Sequence, residues 1–260
     1  MSEPSSHRIN FIGFDRRIRL TWLDQSAETA GEILREIGVG KGAPSAALPA
    51  FRAAMNRAMA EEIRGRDARR KTINVLTRIW LLVPESHRTL RDEALCLWSR
   101  VPDAGRLWLH WGLTLLAYPF FRDVAATVGR LLRAQDRFTL AQVMREITAR
   151  WGERTTLNYV VPRVIYSLVD WGVLEAMESE RGIYQGTSAR VSPHPELPIW
   201  LIEAVLRASP GEALPVYPLL HLPALFPFRL ETGLEELHAS RRFLIVRNGD
   251  GEPLVTIRTP

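Results

Sequence analysis

Between Val124 and Gln185 the spacing of apolar residues changes period in a fixed order, and that order restricts the fold more than any other feature of the chain. Val124, Val128, Leu131 and Leu132 recur at the interval that lines one face of a helix, which Gln135-Asp136-Arg137 closes. Phe138 follows as a short extended piece. Thr139 with Gln142 has the form of a capping box, in which each side chain satisfies an amide left open at a helix start. The helix it opens turns Leu140, Val143 and Ile147 inward and stops at Gly152 after Trp151. A tight turn through Glu153-Arg154-Thr155-Thr156 leads to a third helix reaching Trp171, with Gly172 as its left-handed cap. Residues 173–178 and 183–185 then read as two short strands around Glu180-Arg181-Gly182. Helix, helix, turn, helix and β-hairpin at these lengths predict a winged helix-turn-helix over residues 121–192.

Placed at about 100° per residue, Leu157, Val161, Val164 and Leu168 form one stripe of the third helix, with Tyr159, Arg163, Tyr166 and Asp170 opposite. A recognition helix needs a polar outer face because it enters a major groove ~12 Å wide, where base edges carry distinguishable donors and acceptors. Tyr159, Arg163 and Tyr166 are therefore expected to meet base edges or phosphates. Arg154, Thr155, Thr156 and Asn158 sit at the helix start, where hydroxyls and free backbone amides suit phosphate oxygens. Pro162 lies beyond the first turn, where proline is free of cost, so the helix either kinks or begins nearer Tyr159.

The wing offers Arg181, with Arg190 behind it, to the DNA backbone or minor groove. Glu175, Glu178 and Glu180 oppose it, and residues 122–190 hold ten Arg against eight Asp and Glu. So small a surplus keeps a second reading open, a scaffold that docks a partner protein through Tyr159, Tyr166 and the wing. Arg64, Arg66, Arg69, Arg70 and Lys71, set against Asp67 alone, are the densest cationic run, and Arg16, Arg17 and Arg19 form another. Each cluster suits phosphate contacts, and each equally suits a solvated helix end.

The flanks read as helical before this module and mixed after it. Over residues 1–120, Leu23, Ala27, Ala30 and Leu34, then Phe51, Met55, Met59 and Ile63, then Ile73, Leu76, Ile79 and Trp80 repeat at helical period. Thr89 with Asp92 resembles a second capping box, and Asp103 opens a further helix that Pro119 interrupts. This predicts a helical bundle. In residues 193–260 a helix over 195–208, an apolar Pro-rich stretch over 215–227 and a helix over 230–238 precede two strands, 243–247 and 254–258. Those strands flank Asn248-Gly249-Asp250-Gly251, whose Asn and Gly accept positive φ cheaply. A second winged module and a small α+β cap fit this pattern equally. The fold class expected overall is mainly α.

With 46% hydrophobic residues in 260, the chain can bury substantial cores. Its single cysteine, Cys96, excludes a disulfide framework within the chain, and together with a start, residues 1–9, that lacks the pattern of a secretory signal it predicts a reducing, cytoplasmic setting. Residues 107–121 fall short of the ~20 apolar residues that span a bilayer, so no membrane partner is expected. The net charge of +5 favours an anionic partner, weakly, since nearly all the basic residues are Arg. Gly38-Val39-Gly40-Lys41-Gly42 only imitates a phosphate-binding loop: Arg35 stands where the first glycine is required and no Ser or Thr follows Lys41. No His or Cys pair has ligand spacing and no nucleophile elbow or carboxylate pair occurs, so neither metal, cofactor nor enzyme activity is expected. Trp108, Trp111 and the Pro-rich stretch are the candidates for a subunit interface.

The runs Leu107-Trp108-Leu109-His110-Trp111 and Tyr118-Pro119-Phe120-Phe121, followed by Val164-Ile165-Tyr166-Ser167-Leu168 and Trp171-Gly172-Val173-Leu174, carry a further likeness. In order and texture they resemble the small helical DNA-binding component of BREX-type phage-exclusion systems, over about residues 75–190. The resemblance implies a non-enzymatic accessory protein of a defence operon that binds double-stranded DNA within a multi-component complex. Residues 193–260 have no counterpart in it.

Overall fold

The computed structural model describes residues 12–38, 43–178, 180–209 and 213–258; the glycine-rich Val39-Gly40-Lys41-Gly42 lies outside them. Five helices come first: α1 (Leu20–Ile37), α2 (Ala43–Ala58), α3 (Arg66–Trp80), α4 (Arg88–Trp98) and α5 (Asp103–Ala117). The apolar spacing explains their packing. Leu23, Ala27, Ala30 and Leu34 of α1 are buried, as are Phe51 and Met55 of α2 and Ile73, Leu76, Ile79 and Trp80 of α3. Helix α5 buries every residue from Leu107 to Leu115 and packs against α1, α3, α4, α6 and α9, so its middle is buried all round, with His110 and Thr114 as the polar residues inside. Among the described residues no helix is long and apolar enough to cross a membrane. Trp108 and Trp111 are fully buried in α5, which removes both from any subunit interface. The capping box expected at Thr89 and Asp92 does not form. Helix α4 begins at Arg88, two residues before the start that a Thr89 cap requires, which leaves Thr89 inside the first turn, and His87 precedes it without a side-chain cap.

Pro119 is the first residue of α6 (Pro119–Ala134), where its missing N–H costs nothing. β1 (Arg137–Thr139), α7 (Leu140–Trp151), α8 (Leu157–Asp170), β2 (Leu174–Ala176) and β3 (Ile183–Gly186) follow, and the strands pair in the antiparallel order β1-β3-β2. The Thr139 side chain accepts from the Gln142 amide at 3.2 Å while Gln142 accepts from the Thr139 amide at 2.7 Å, which is the expected capping box. Gly152, Gly172 and Gly182 all take positive φ, one after each of α7 and α8 and one in the hairpin turn. Pro162 stays within α8, where it has no N–H to donate to the carbonyl of Asn158, an exposed residue.

The remaining segment holds β4 (Arg190–Val191), α9 (Glu196–Ala208), β5 (Leu214–Pro215), α10 (Val216–Leu220), a 3-10 turn at Pro223–Leu225, β6 (Phe228–Arg229), α11 (Leu234–Ala239), β7 (Phe243–Arg247) and β8 (Pro253–Ile257). The helix expected over 230–238 is shorter and starts at Leu234, where the Glu236 carboxylate accepts from the Gly233 amide at 2.9 Å. In the hairpin turn only Gly251 has positive φ. Asn248 acts through its side chain instead, Oδ1 accepting from the amides of Asp250 and Glu252 at 3.0 and 2.8 Å. The third sheet has the order β5-β8-β7, so α9, β5, α10, α11, β7 and β8 repeat the connectivity of α6, β1, α7, α8, β2 and β3. The helix followed by a hairpin, which fits a second winged module and a small α+β cap equally, is the part of this repeat that the sequence displays; the sequence pattern does not separate β5 and α10 from the Pro-rich stretch. The Pro-rich stretch packs on the preceding unit: the Trp111 indole donates to the Ala224 carbonyl at 2.9 Å, and Gly129 lets the Pro223 carbonyl approach closely. One core runs unbroken from Phe14 to Phe228, and a second, smaller one joins Ile202, Leu206, Leu219, Leu237, Phe243 and Val255.

Candidate nucleic-acid interface

Helix α8 buries Leu157, Val161, Val164 and Leu168 as its spacing requires, and Val160, Ile165 and Ser167 widen the buried sector. Of the opposite stripe, Tyr159 and Tyr166 are 46% and 43% exposed. Arg163 and Asp170 are not the free groups expected. Arg163 Nη1 donates to the Asp15 carbonyl at 2.6 Å, and its guanidinium stands 5.3 Å over the Tyr159 ring. Asp170 accepts two hydrogen bonds from Arg17, at 2.5 and 2.7 Å. Ser167 Oγ accepts from the Ile18 amide at 2.8 Å and Trp171 Nε1 donates to the Ile18 carbonyl at 2.9 Å. Residues 12–19 therefore run alongside α8 as a strap, Ile12, Gly13 and Asp15 near its N-terminal half and Arg17 and Ile18 along its C-terminal half, anchored by the wholly buried Phe14 and Ile18. Sequence reasoning missed this strap, although the four-residue interval between those two apolar residues was its signal.

The start of α8 is open but differs in chemistry from expectation. Arg154, Thr155 and Asn158 are exposed and Thr156 is half-buried, with no cap from its hydroxyl. The amides of Leu157, Asn158 and Tyr159 donate to the carbonyls of Arg154, Thr155 and Thr156 at 2.9, 3.2 and 3.2 Å. Those amides are already satisfied, so anion contacts here fall to side chains. Tight turning after residue 153 produces this geometry, because a one-residue shift in hydrogen bonding uses up the donors a longer loop would leave open.

The cationic run divides by role. Arg69 is structural: its Nε donates to Asn56 Oδ1 and its Nη1 to the Ile63 carbonyl, both at 2.6 Å, which ties the α2–α3 connection. Arg64, Arg66, Arg70 and Lys71 stay exposed, with Arg70 3.3 Å from the exposed Asp67. Of the other cluster, Arg17 holds Asp170 and Arg19 pairs with Glu62 at 2.6 Å. Hydrogen bonding to Asp170 raises the Arg17 pKa further and fixes its charge in that pair.

An open groove of about 400 Å³ joins the first helix region to α8. It is lined by Lys71, Asn74 and Arg78 of α3, by Thr156 just before α8 and Tyr159 within it, and by Ile12, Gly13 and Asp15 of the strap. Lys71 and Arg78 of α3 and the open start of α8 thus border one groove, although 85 residues of sequence separate Lys71 from Thr156, while Arg66 and Arg70 lie nearer the start of α3 and do not line it. Tyr118 also lines it; burial pushes its phenol pKa up, which keeps the hydroxyl protonated and donating to the Val75 carbonyl at 3.1 Å.

The hairpin is the acidic end. Arg181 is exposed at its tip, but so are Glu175, Glu178 and Glu180, and Arg137 lies 3.4 Å from Glu180. Arg190 is withdrawn from this surface: it donates to the Gly172 carbonyl at 2.8 Å and closes the end of α8.

No protein-family model matches the chain, and no curated protein does. Among solved structures, a crystal structure of a protein named SspB is similar over 95% of this chain and 82% of that one, at 15% identity and a TM-score of 0.45.

Proposed function

We propose that the chain is a non-enzymatic DNA-binding accessory or regulatory protein. The α6–β3 unit is a winged helix-turn-helix whose third helix, α8, engages duplex DNA through its N-terminal half. The reading rests on one observation, the groove that sets Lys71 and Arg78 of α3 beside Thr156 and Tyr159, with the exposed Arg66 and Arg70 earlier on the same helix. Arg66, Arg70 and Lys71 contact phosphates, and Arg154, Thr155, Asn158 and Tyr159 meet the groove edge. Arg163 holds Tyr159 in place from behind, and the strap keeps the C-terminal half of α8 off the duplex. The helix–strand–helix–helix–hairpin connectivity with order β1-β3-β2 supports the winged assignment. The resemblance to BREX-type components is the support for a role in a bacterial phage-defence complex.

The acidic hairpin favours the other reading, docking to a protein, and salt separates the two. Neutralised phosphates release counterions, so duplex affinity measured by fluorescence anisotropy should fall at least tenfold between about 50 and about 200 mM salt. Binding that is absent at the lower salt, or insensitive to salt, would leave protein docking as the function.

A further inference from the structure

We infer that β7 is a homodimerisation edge, which pairs antiparallel with β7 of a second copy of this chain about a two-fold axis at Ile245. β7 is an outer strand of the order β5-β8-β7. The hydrogen bonds at its two ends, Arg258 amide to Arg242 carbonyl at 2.8 Å and Asn248 amide to Glu252 carbonyl at 3.1 Å, fix which residues face β8. With the register Leu244↔Thr256 and Val246↔Leu254, the even-numbered residues of β7 bond to β8. The backbone groups of Phe243, Ile245 and Arg247 therefore point to the open side, in keeping with Pro253, which has no N–H, lying opposite Arg247. Among these outward groups only the Phe243 carbonyl has a partner in the described residues, the Arg258 guanidinium at 3.2 Å, and a carbonyl has a second lone pair for another donor.

The side chains match the same partner. Phe243 and Ile245 face the small second core, while Leu244 and Val246 stand out from the other face at 44% and 37% exposure. No charge or proline guards the interior of the strand, as natural edges usually provide. In the symmetric register Leu244 meets Val246 of the second copy as a close, non-hydrogen-bonded pair, and Arg247 meets Phe243, so no like charges oppose. Two five-residue strands alone bury less than the ~1,000 Å² of a stable interface, so the association is concentration-dependent.

Sedimentation equilibrium of the full chain from about 1 to about 500 μM tests this. The wild type should shift from monomer to dimer, and the double variant L244K/V246K, changed only at exposed positions, should stay monomeric with an unaltered circular dichroism spectrum. Hydrogen exchange on the wild type supplies a readout free of mutation: the Ile245 amide should gain protection with concentration while the Leu244 and Val246 amides, held by β8, do not change. A wild type that stays monomeric, a dimer that survives both lysines, or an Ile245 amide indifferent to concentration would overturn the inference.

Discussion

His110 sits in α5 with no exposed surface, its Nδ1 accepting from the Trp80 indole at 3.1 Å and its Nε2 bonded to Asp24 at 2.9 Å. Burial lowers its pKa, and the Asp24 hydrogen bond only partly offsets that. In the unfolded chain the imidazole titrates near ~6.5, so below that pH the unfolded state binds the extra proton and stability falls as pH drops. The urea midpoint should therefore decline between about pH 7.5 and about pH 5.5, and His110→Gln should lessen the decline; equal slopes would contradict it. Gly112 is a second tight point, because a Cβ there would stand 2.5 Å from Trp200 Cζ3. Gly112→Ala should cost ~1–3 kcal/mol in denaturant titration. At this scale the sequence is most readable where partners are close. Thr139 and Gln142 lie three residues apart and their box was legible, whereas Arg163 finds the Asp15 carbonyl 148 residues away and no local pattern announces it.

Elements were legible where periodicity and punctuation agree. Helices α6, α7 and α8 and the hairpin follow from apolar spacing and from Gly152, Gly172 and Gly182, each of which needs a backbone conformation that other residues resist. Thr89 misled because a capping box is only a residue pattern, and neighbouring Arg88 could extend the helix past it. Which part of α8 is reachable was not legible, since the strap covering it belongs to the opposite end of the chain. Pro162 offers a test of how α8 is built. Pro162→Ala restores a donor to the Asn158 carbonyl and should raise stability by ~1 kcal/mol or more, net of the unfolded-state entropy it adds. A loss of stability would mean that the proline ring is needed for packing. Thr139→Ala should remove half of the capping box and cost ~0.5–2 kcal/mol.

Across the whole molecule the repeated connectivity yields two units of unlike chemistry. The first sets α8 beside the cations of α3. In the second, the place of α8 is taken by α11, only six residues long with Glu235 and Glu236 in its first turn, an unfavourable surface for a polyanion. Arg242 joins the second unit to the bundle, its Nη1 donating to Glu93 and to the nearly buried Glu203, each at 2.6 Å. Arg242→Met should leave Glu203 less compensated and make residues 213–258 more susceptible to limited proteolysis. The central claim is that α3 and the start of α8 make one anion-binding face. Its most direct measurement is the slope of log K against log salt for duplex DNA, compared between the wild type and the Arg66→Ala, Arg70→Ala, Lys71→Ala triple variant. Three lost phosphate contacts should flatten the slope by about two to three. An unchanged slope would contradict the claim.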